Sequence, residues 1–129
     1  AADTVEVGDL GLCRVLLMDD SRYAWLILVP RRPDIREVYE LTADEQTQLW
    51  QEVTEVGQIM MKKLAGHKLN VAALGNMVPQ LHVHVIARQN NDAAWPAPVW
   101  GAQPAINYEQ AQLDSYLAQL RDSCLNVTK

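Results

Sequence analysis

Residues 80–88 read Gln-Leu-His-Val-His-Val-Ile-Ala-Arg, and polar and apolar side chains alternate strictly over the first six positions. In an extended strand, successive side chains point to opposite faces of the sheet. The alternation therefore predicts a β-strand over residues 81–88, with Gln80, His82 and His84 lining one face. The apolar residues between them are expected to enter the core on the other face.

This face holds two of the three histidines in the chain. Imidazole titrates near neutral pH, acts as a nucleophile and binds metal ions, whereas a strand face that only meets solvent more commonly carries Lys, Glu or Thr. A single histidine on a strand is usually structural. Two histidines on one face, next to a glutamine, favour a functional site.

Composition and charge limit the classes of protein to which the chain can belong. Its 129 residues are enough for one domain, and 49% of them are hydrophobic. The formal net charge of −5 argues against a nucleic-acid polymer as partner, but it does not exclude a single nucleotide. The longest apolar run, residues 24–30, is too short to cross a bilayer, and residues 1–4 lack a signal-peptide pattern. We therefore expect a cytoplasmic protein with no membrane partner.

Further strands are predicted from apolar runs bounded by turn residues. They cover residues 10–18, 23–29 and 68–74. The loop 75–79 connects the last of these to the histidine strand, which predicts an antiparallel hairpin.

Two helices are predicted as well. The longer one begins at Thr42, which forms a capping box with Glu45, and Gly66 marks its end. Its apolar residues recur at helical spacing: Leu49, Val53, Val56, Ile59, Met60 and Leu64. The second helix covers about residues 107–124. Runs of strands with few helices predict a single α+β domain over residues 1–129, an antiparallel sheet with one long central helix and a C-terminal helix.

Residues 80–86 resemble the histidine triad motif, His-φ-His-φ-His-φ-φ, where φ is an apolar residue. The likeness extends over roughly residues 10–101, including the buried strand that ends at Pro30 and the long helix. The chain departs from the family at Gln80, which replaces the first histidine of the motif. A further histidine, which the family often carries where Trp25 falls, is also missing.

The resemblance implies an α+β nucleotide-binding fold that hydrolyses or transfers nucleoside monophosphate groups without a metal or other cofactor. The middle histidine of the motif, here His82, attacks the α-phosphate and forms a nucleotidyl-histidine intermediate. His84 is expected to contact the phosphate oxygens or the leaving group. Gln80 can donate an amide N–H, but it cannot shuttle a proton. Expected substrates are nucleoside phosphoramidates, nucleotidyl esters or dinucleoside polyphosphates.

Five other residues are candidates for substrate binding. Asp19 and Asp20 follow the first predicted core strand, where the family often places a residue that accepts hydrogen bonds from ribose; they equally suit a turn. Asn76 lies in a loop that can turn donors toward phosphate, although beside Gly75 it needs no function. Arg88 shares the face of His84, but a solvated charge at a strand end is the favoured interpretation. Trp100 is expected to cover the site or a dimer partner, or to pack within the monomer.

The resemblance also implies a homodimer, paired through the long helix and an edge strand. Trp50 and Met61 lie away from the densest part of the helix's apolar stripe. Either they are exposed and form part of an interface, or they widen a stripe that faces the core.

Two other functions stay open at this point. Gln80 favours a nucleotide-binding dimeric module that has lost turnover. The His-x-His spacing also suits two ligands of a zinc or iron site, which needs a third ligand from His67 or an aspartate.

Overall fold

The structure, a computed structural model, describes residues 3–101 and 104–125. Five strands form one antiparallel sheet in the order β1-β2-β3-β5-β4. The strands are β1 (Thr4–Asp9), β2 (Cys13–Met18), β3 (Ala24–Pro30), β4 (Lys68–Ala72) and β5 (Val83–Arg88). Because β5 pairs with β3 on one side and with β4 on the other, the predicted hairpin and the α+β class are confirmed.

The first predicted strand, over residues 10–18, was wrong in its extent. Within this span the structure has one strand, β2, which begins only at Cys13; β1 lies before the span and was not predicted, and a turn at residues 10–12 joins the two. The carboxylate of Glu52, on the long helix, accepts hydrogen bonds from the backbone N–H groups of Leu12 and Cys13 at 2.8 and 2.9 Å. Because this contact is forty residues away in sequence, the local pattern could not indicate it.

The long helix is α1 (Ala43–Lys63), and its capping box is confirmed. Thr42 Oγ1 accepts from the backbone N–H of Glu45 at 3.2 Å, and Glu45 Oε1 accepts from the N–H of Thr42 at 2.8 Å. The second helix, α2 (Gln110–Gln119), continues as a π-helical turn, Leu120–Cys124. It begins later than predicted: its N-cap is Glu109, whose backbone is still extended, and the N–H of Tyr108 just before it donates to Asp19.

Two separate clusters of buried side chains cover the two faces of the sheet. The face toward α1 forms the main core, which includes Leu49, Val53, Leu26, Val83 and Val85. The opposite face carries a smaller cluster of Tyr23, Trp25, Ile27, Ile86 and Val99. This second face bears the histidines, so the residues predicted to point away from the main core do so. No helix within the described residues has the length and apolar character needed to cross a membrane.

Candidate active site

A cavity of about 550 Å³ opens on the sheet face opposite α1. Its walls come from β2, β3, the start of β5 and the loop between β4 and β5. Most of these walls are apolar, and they include Leu16, Met18, Ile27, Val29, Met77 and Val78. Gln80, His82 and His84 line the same cavity, so the structure brings together the three residues of the predicted triad face.

His82 stands immediately before β5 and is half-buried. Strand pairing begins only at Val83, because the backbone N–H of Leu81 donates to the carbonyl of Ile35 at 2.8 Å rather than to a neighbouring strand. His82 Nδ1 lies 2.7 Å from the carbonyl oxygen of Gln80. Since a carbonyl oxygen only accepts, Nδ1 carries the proton, and the lone pair of a neutral His82 ring is on Nε2.

His84 is 5% exposed and its ring centroid lies 5.0 Å from that of His82. Its Nδ1 accepts a hydrogen bond from Trp25 Nε1 at 3.0 Å. Burial, with a smaller contribution from His82, lowers the pKa of His84 to about 4. The His84 ring is therefore neutral at physiological pH.

The strand register explains why Trp25 reaches His84. Ile27 lies directly opposite His84 in the β3–β5 pair, and Trp25 is two residues before Ile27 on the same face. A diagonal cross-strand neighbour is within reach of a large aromatic side chain. Trp100 contacts His84 from another side, with ring centroids 5.0 Å apart, and also packs edge-on against Trp25.

Besides the two histidines, three of the predicted site residues line the cavity: Gln80, Asn76 and Trp100. The amide of Gln80 makes one long hydrogen bond, 3.4 Å from its Nε2 to the carbonyl of Arg32, so it is only weakly held. Asn76 is exposed and follows Gly75, whose φ of +74° is one that glycine adopts without strain. Trp100 packs over the site within its own chain.

The structure places Asp19 and Asp20 elsewhere. Asp19 accepts from the backbone N–H of Tyr108 at 2.8 Å. Asp20 is buried and forms an ion pair with Arg22 at 2.8 Å, which helps to hold its pKa below the usual value despite the opposing effect of burial. Both carboxylates fasten the segment before α2 to the β2–β3 turn, and neither lines the cavity. The geometry therefore gives no support to the predicted ribose contact.

Arg88 shares the face of His84, as predicted, but it is neither a cavity residue nor a solvated charge. Its side chain is 1% exposed. The guanidinium donates to Asp92, to Asn70 Oδ1 and to the carbonyl of Ala97. Arg88 thus holds the segment that carries Trp100 against the sheet.

Trp25 is the site residue that sequence reasoning did not identify. The sequence marks this position only as one where the family often carries a histidine. Alternation along this strand places Trp25 on the same face as Ile27. The sequence does not show which strand pairs with it, so it could not show that His84 lies beside Trp25.

The described residues contain no group of three or more His, Cys, Asp or Glu side chains placed to hold a metal ion. His67, the suggested third ligand, packs edge-on against Trp95 instead. The described residues therefore do not place a third ligand beside His82 and His84.

Comparisons with known proteins agree with this fold. The model of the HIT domain family matches residues 1–91. No curated protein matches the chain.

Crystal structures of histidine triad proteins are close matches. The protein from Marinobacter aquaeolei is 48% identical, with a TM-score of 0.94 over 98% of this chain and 93% of that chain. The proteins from Bradyrhizobium japonicum and Sinorhizobium meliloti are each 44% identical with TM-scores of 0.91, covering 96% of this chain and 92% and 91% of theirs. The chain belongs to the HIT family.

Proposed function

We propose that this protein is a nucleotidyl hydrolase or transferase in which His82 attacks the α-phosphorus of a small nucleotide. The observation that carries the proposal is the hydrogen bond from His82 Nδ1 to the Gln80 carbonyl, at 2.7 Å. It orients the ring and leaves the Nε2 lone pair as the nucleophile, on a residue that lines the cavity.

The neighbouring groups suit the charge of a phosphate. A neutral His84 with its proton on Nε2 donates one hydrogen bond, and the Gln80 amide supplies another. The volume of about 550 Å³ suits a nucleotide-sized ligand, and the apolar walls suit a base. The substrate class is a nucleoside monophosphate joined to a leaving group, as in a nucleoside phosphoramidate, a nucleotidyl ester or a dinucleoside polyphosphate.

We further propose a cytoplasmic homodimer. β4 is an edge strand whose outer side has no strand partner among the described residues, and Val71 on it is 38% exposed. Trp50 on α1 is 46% exposed. Met61 is half-buried against the core, so Trp50 and the β4 edge carry this proposal.

The test is to trap the intermediate. The protein is mixed briefly with a dinucleoside polyphosphate, quenched without acid, and digested for mass spectrometry. We expect an acid-sensitive nucleotidyl adduct on His82 that is absent from His82→Asn.

The second candidate, a binding module without turnover, is favoured by Gln80. It predicts that calorimetry detects binding of a nucleotide while neither adduct nor product forms. That result would overturn the enzymatic proposal.

A further inference from the structure

The bond between Trp25 and His84 restricts the chemistry of the cavity. An indole N–H can only donate, so His84 Nδ1, 3.0 Å from Trp25 Nε1, must accept. A neutral His84 ring therefore carries its single proton on Nε2. Protonating Nδ1 would set two N–H groups against each other around a ring that is 5% exposed.

His84 in this state is a hydrogen-bond donor and not a proton shuttle. It cannot accept a proton at Nδ1, and giving up the Nε2 proton would create an imidazolate. The low pKa of His84, about 4, agrees with a ring that stays neutral.

The other polar side chains near His84 cannot protonate a leaving group either. Gln80 and Asn76 are amides without an acidic proton. The His82 proton is held by the Gln80 carbonyl, and its other nitrogen is the nucleophile. Asp3 lies beside β1, three strand positions from β5, which is about 14 Å at the usual strand spacing. Thr4, the one hydroxyl residue among the described wall residues, lies on β1 at the same remove, and an alcohol is too weak an acid for this role. No described wall residue is therefore placed to give a proton to the departing group.

We infer that Trp25, by fixing the tautomer of His84, restricts this site to nucleotidyl anhydrides, in which a nucleoside monophosphate is joined to a carboxylate or a phosphate. This inference rests on the proposed function and narrows it. A carboxylate or phosphate leaves as a stable anion without receiving a proton, whereas an amine or an alkoxide does not. Phosphoramidates and alkyl esters are then poor substrates.

The two steps balance without a proton from the protein. His82 Nε2 bonds to the α-phosphorus, the bond from phosphorus to the leaving oxygen breaks, and the electron pair departs on that oxygen. The ring keeps its Nδ1 proton, so the intermediate is a cation hydrogen-bonded to the Gln80 carbonyl. Water oxygen then bonds to phosphorus, the N–P bond breaks, its electron pair returns to Nε2, and the water's proton passes to solvent.

The first test measures the tautomer directly and needs no turnover. Long-range ¹H–¹⁵N spectra of protein with ¹⁵N-labelled histidine report which ring nitrogen carries the proton. We expect His84 to be the Nε2–H form at pH 7 and to stay neutral down to about pH 5. In Trp25→Phe, the pKa of His84 should rise and the Nδ1–H form should appear. An Nδ1–H tautomer in the unaltered protein would overturn the inference.

The second test compares leaving groups on one adenylyl unit. The panel holds an acyl adenylate, a dinucleoside polyphosphate, an alkyl ester and a phosphoramidate. General acid catalysis contributes about 10²–10⁴-fold, so its absence should place kcat/KM for the last two at least about a hundredfold below the anhydrides. The two anhydrides show whether carboxylate or phosphate is the better leaving group.

One variant and its control test whether Trp25 causes this selectivity. Trp25→Phe frees Nδ1 of His84 and should narrow the anhydride-to-phosphoramidate ratio by about tenfold or more at pH 6. Tyr23→Phe is the matched control, because Tyr23 packs edge-on against Trp25 and its buried hydroxyl has no hydrogen-bond partner among the described residues. It should change neither the spectrum nor the ratio.

The outcomes separate the inference from the proposed function. Equal rates on anhydrides and phosphoramidates would overturn the inferred selectivity, and so would an unchanged anhydride-to-phosphoramidate ratio in folded Trp25→Phe. In both cases the proposed nucleotidyl hydrolase or transferase function would stand. Inactivity on every substrate would overturn both.

Discussion

Arg88 and Asp92 form a two-point ion pair in which the side chains are 1% and 4% exposed. Arg88 Nε and Nη2 donate to the two carboxylate oxygens at 2.7 and 2.9 Å. Asp92 also accepts from the backbone N–H groups of Gln89, Ala94 and Trp95. One carboxylate therefore joins the end of β5 to the turn that leads to Trp100.

We predict that Asp92→Asn destabilises the protein by about 3–5 kcal/mol, because it leaves the Arg88 charge buried without its partner. Urea unfolding at pH 7 measures the change. Asp9→Asn is the matched control, since Asp9 pairs with Arg14 at 2.9 Å on the surface, and it should shift the midpoint little. A small effect of Asp92→Asn would show that the pair does not hold the segment.

The same pair predicts a dependence of stability on pH. Hydrogen bonds from Arg88 lower the pKa of Asp92 in the folded state. The stabilisation is therefore complete above the unfolded pKa of about 3.9, and it is lost as the pH falls through the lower folded value. The free-energy gap between the unaltered protein and Asp92→Asn should narrow below about pH 4. A constant gap down to pH 2 would contradict this assignment.

The strands and helices with local signals could be predicted from the sequence. Alternation identified the face of His82 and His84, and the capping box at Thr42 identified the start of α1. The turn at residues 10–12 could not be predicted, because it depends on Glu52 from a distant helix. The role of Trp25 could not be predicted for a similar reason, since it depends on the side chain that the strand register brings diagonally opposite. The partner of Arg88 is only four residues away, but Asp92 lies in an irregular segment after β5, where no periodic pattern shows which way a side chain points.

His82→Asn should abolish turnover while leaving the unfolding midpoint nearly unchanged. The side chain is half-buried in the cavity wall rather than packed in the main core. An asparagine has no nitrogen lone pair able to attack phosphorus. Steady-state rates and urea unfolding are measured on the same preparation. A folded variant that kept more than a small fraction of the rate would remove His82 from the nucleophilic role.

Gln80→His should raise turnover of substrates with poor leaving groups. An imidazole at this position can share proton transfer where an amide cannot, and such transfer contributes about 10²–10⁴-fold. The measurement is kcat on an adenosine phosphoramidate. Gln80→Asn, which keeps the amide, is the control and should give no gain. If Gln80→His folds but its kcat is no higher, the glutamine suits the reaction and does not limit its rate.

The last prediction separates the dimer interface from the site. Sedimentation at micromolar concentration should show a species of twice the 14.5 kDa chain mass. Trp50→Glu places a charge on the exposed face of α1 and should produce monomers, whereas Ile106→Glu, at a residue 55% exposed beside the β2–β3 turn, should not.

Trp100→Ala should weaken nucleotide binding and leave the dimer intact, because Trp100 packs on Trp25 and His84 of its own chain. A 14.5 kDa species at all concentrations would rule out the dimer, and a joint loss of binding and pairing in Trp100→Ala would place this tryptophan at the interface instead.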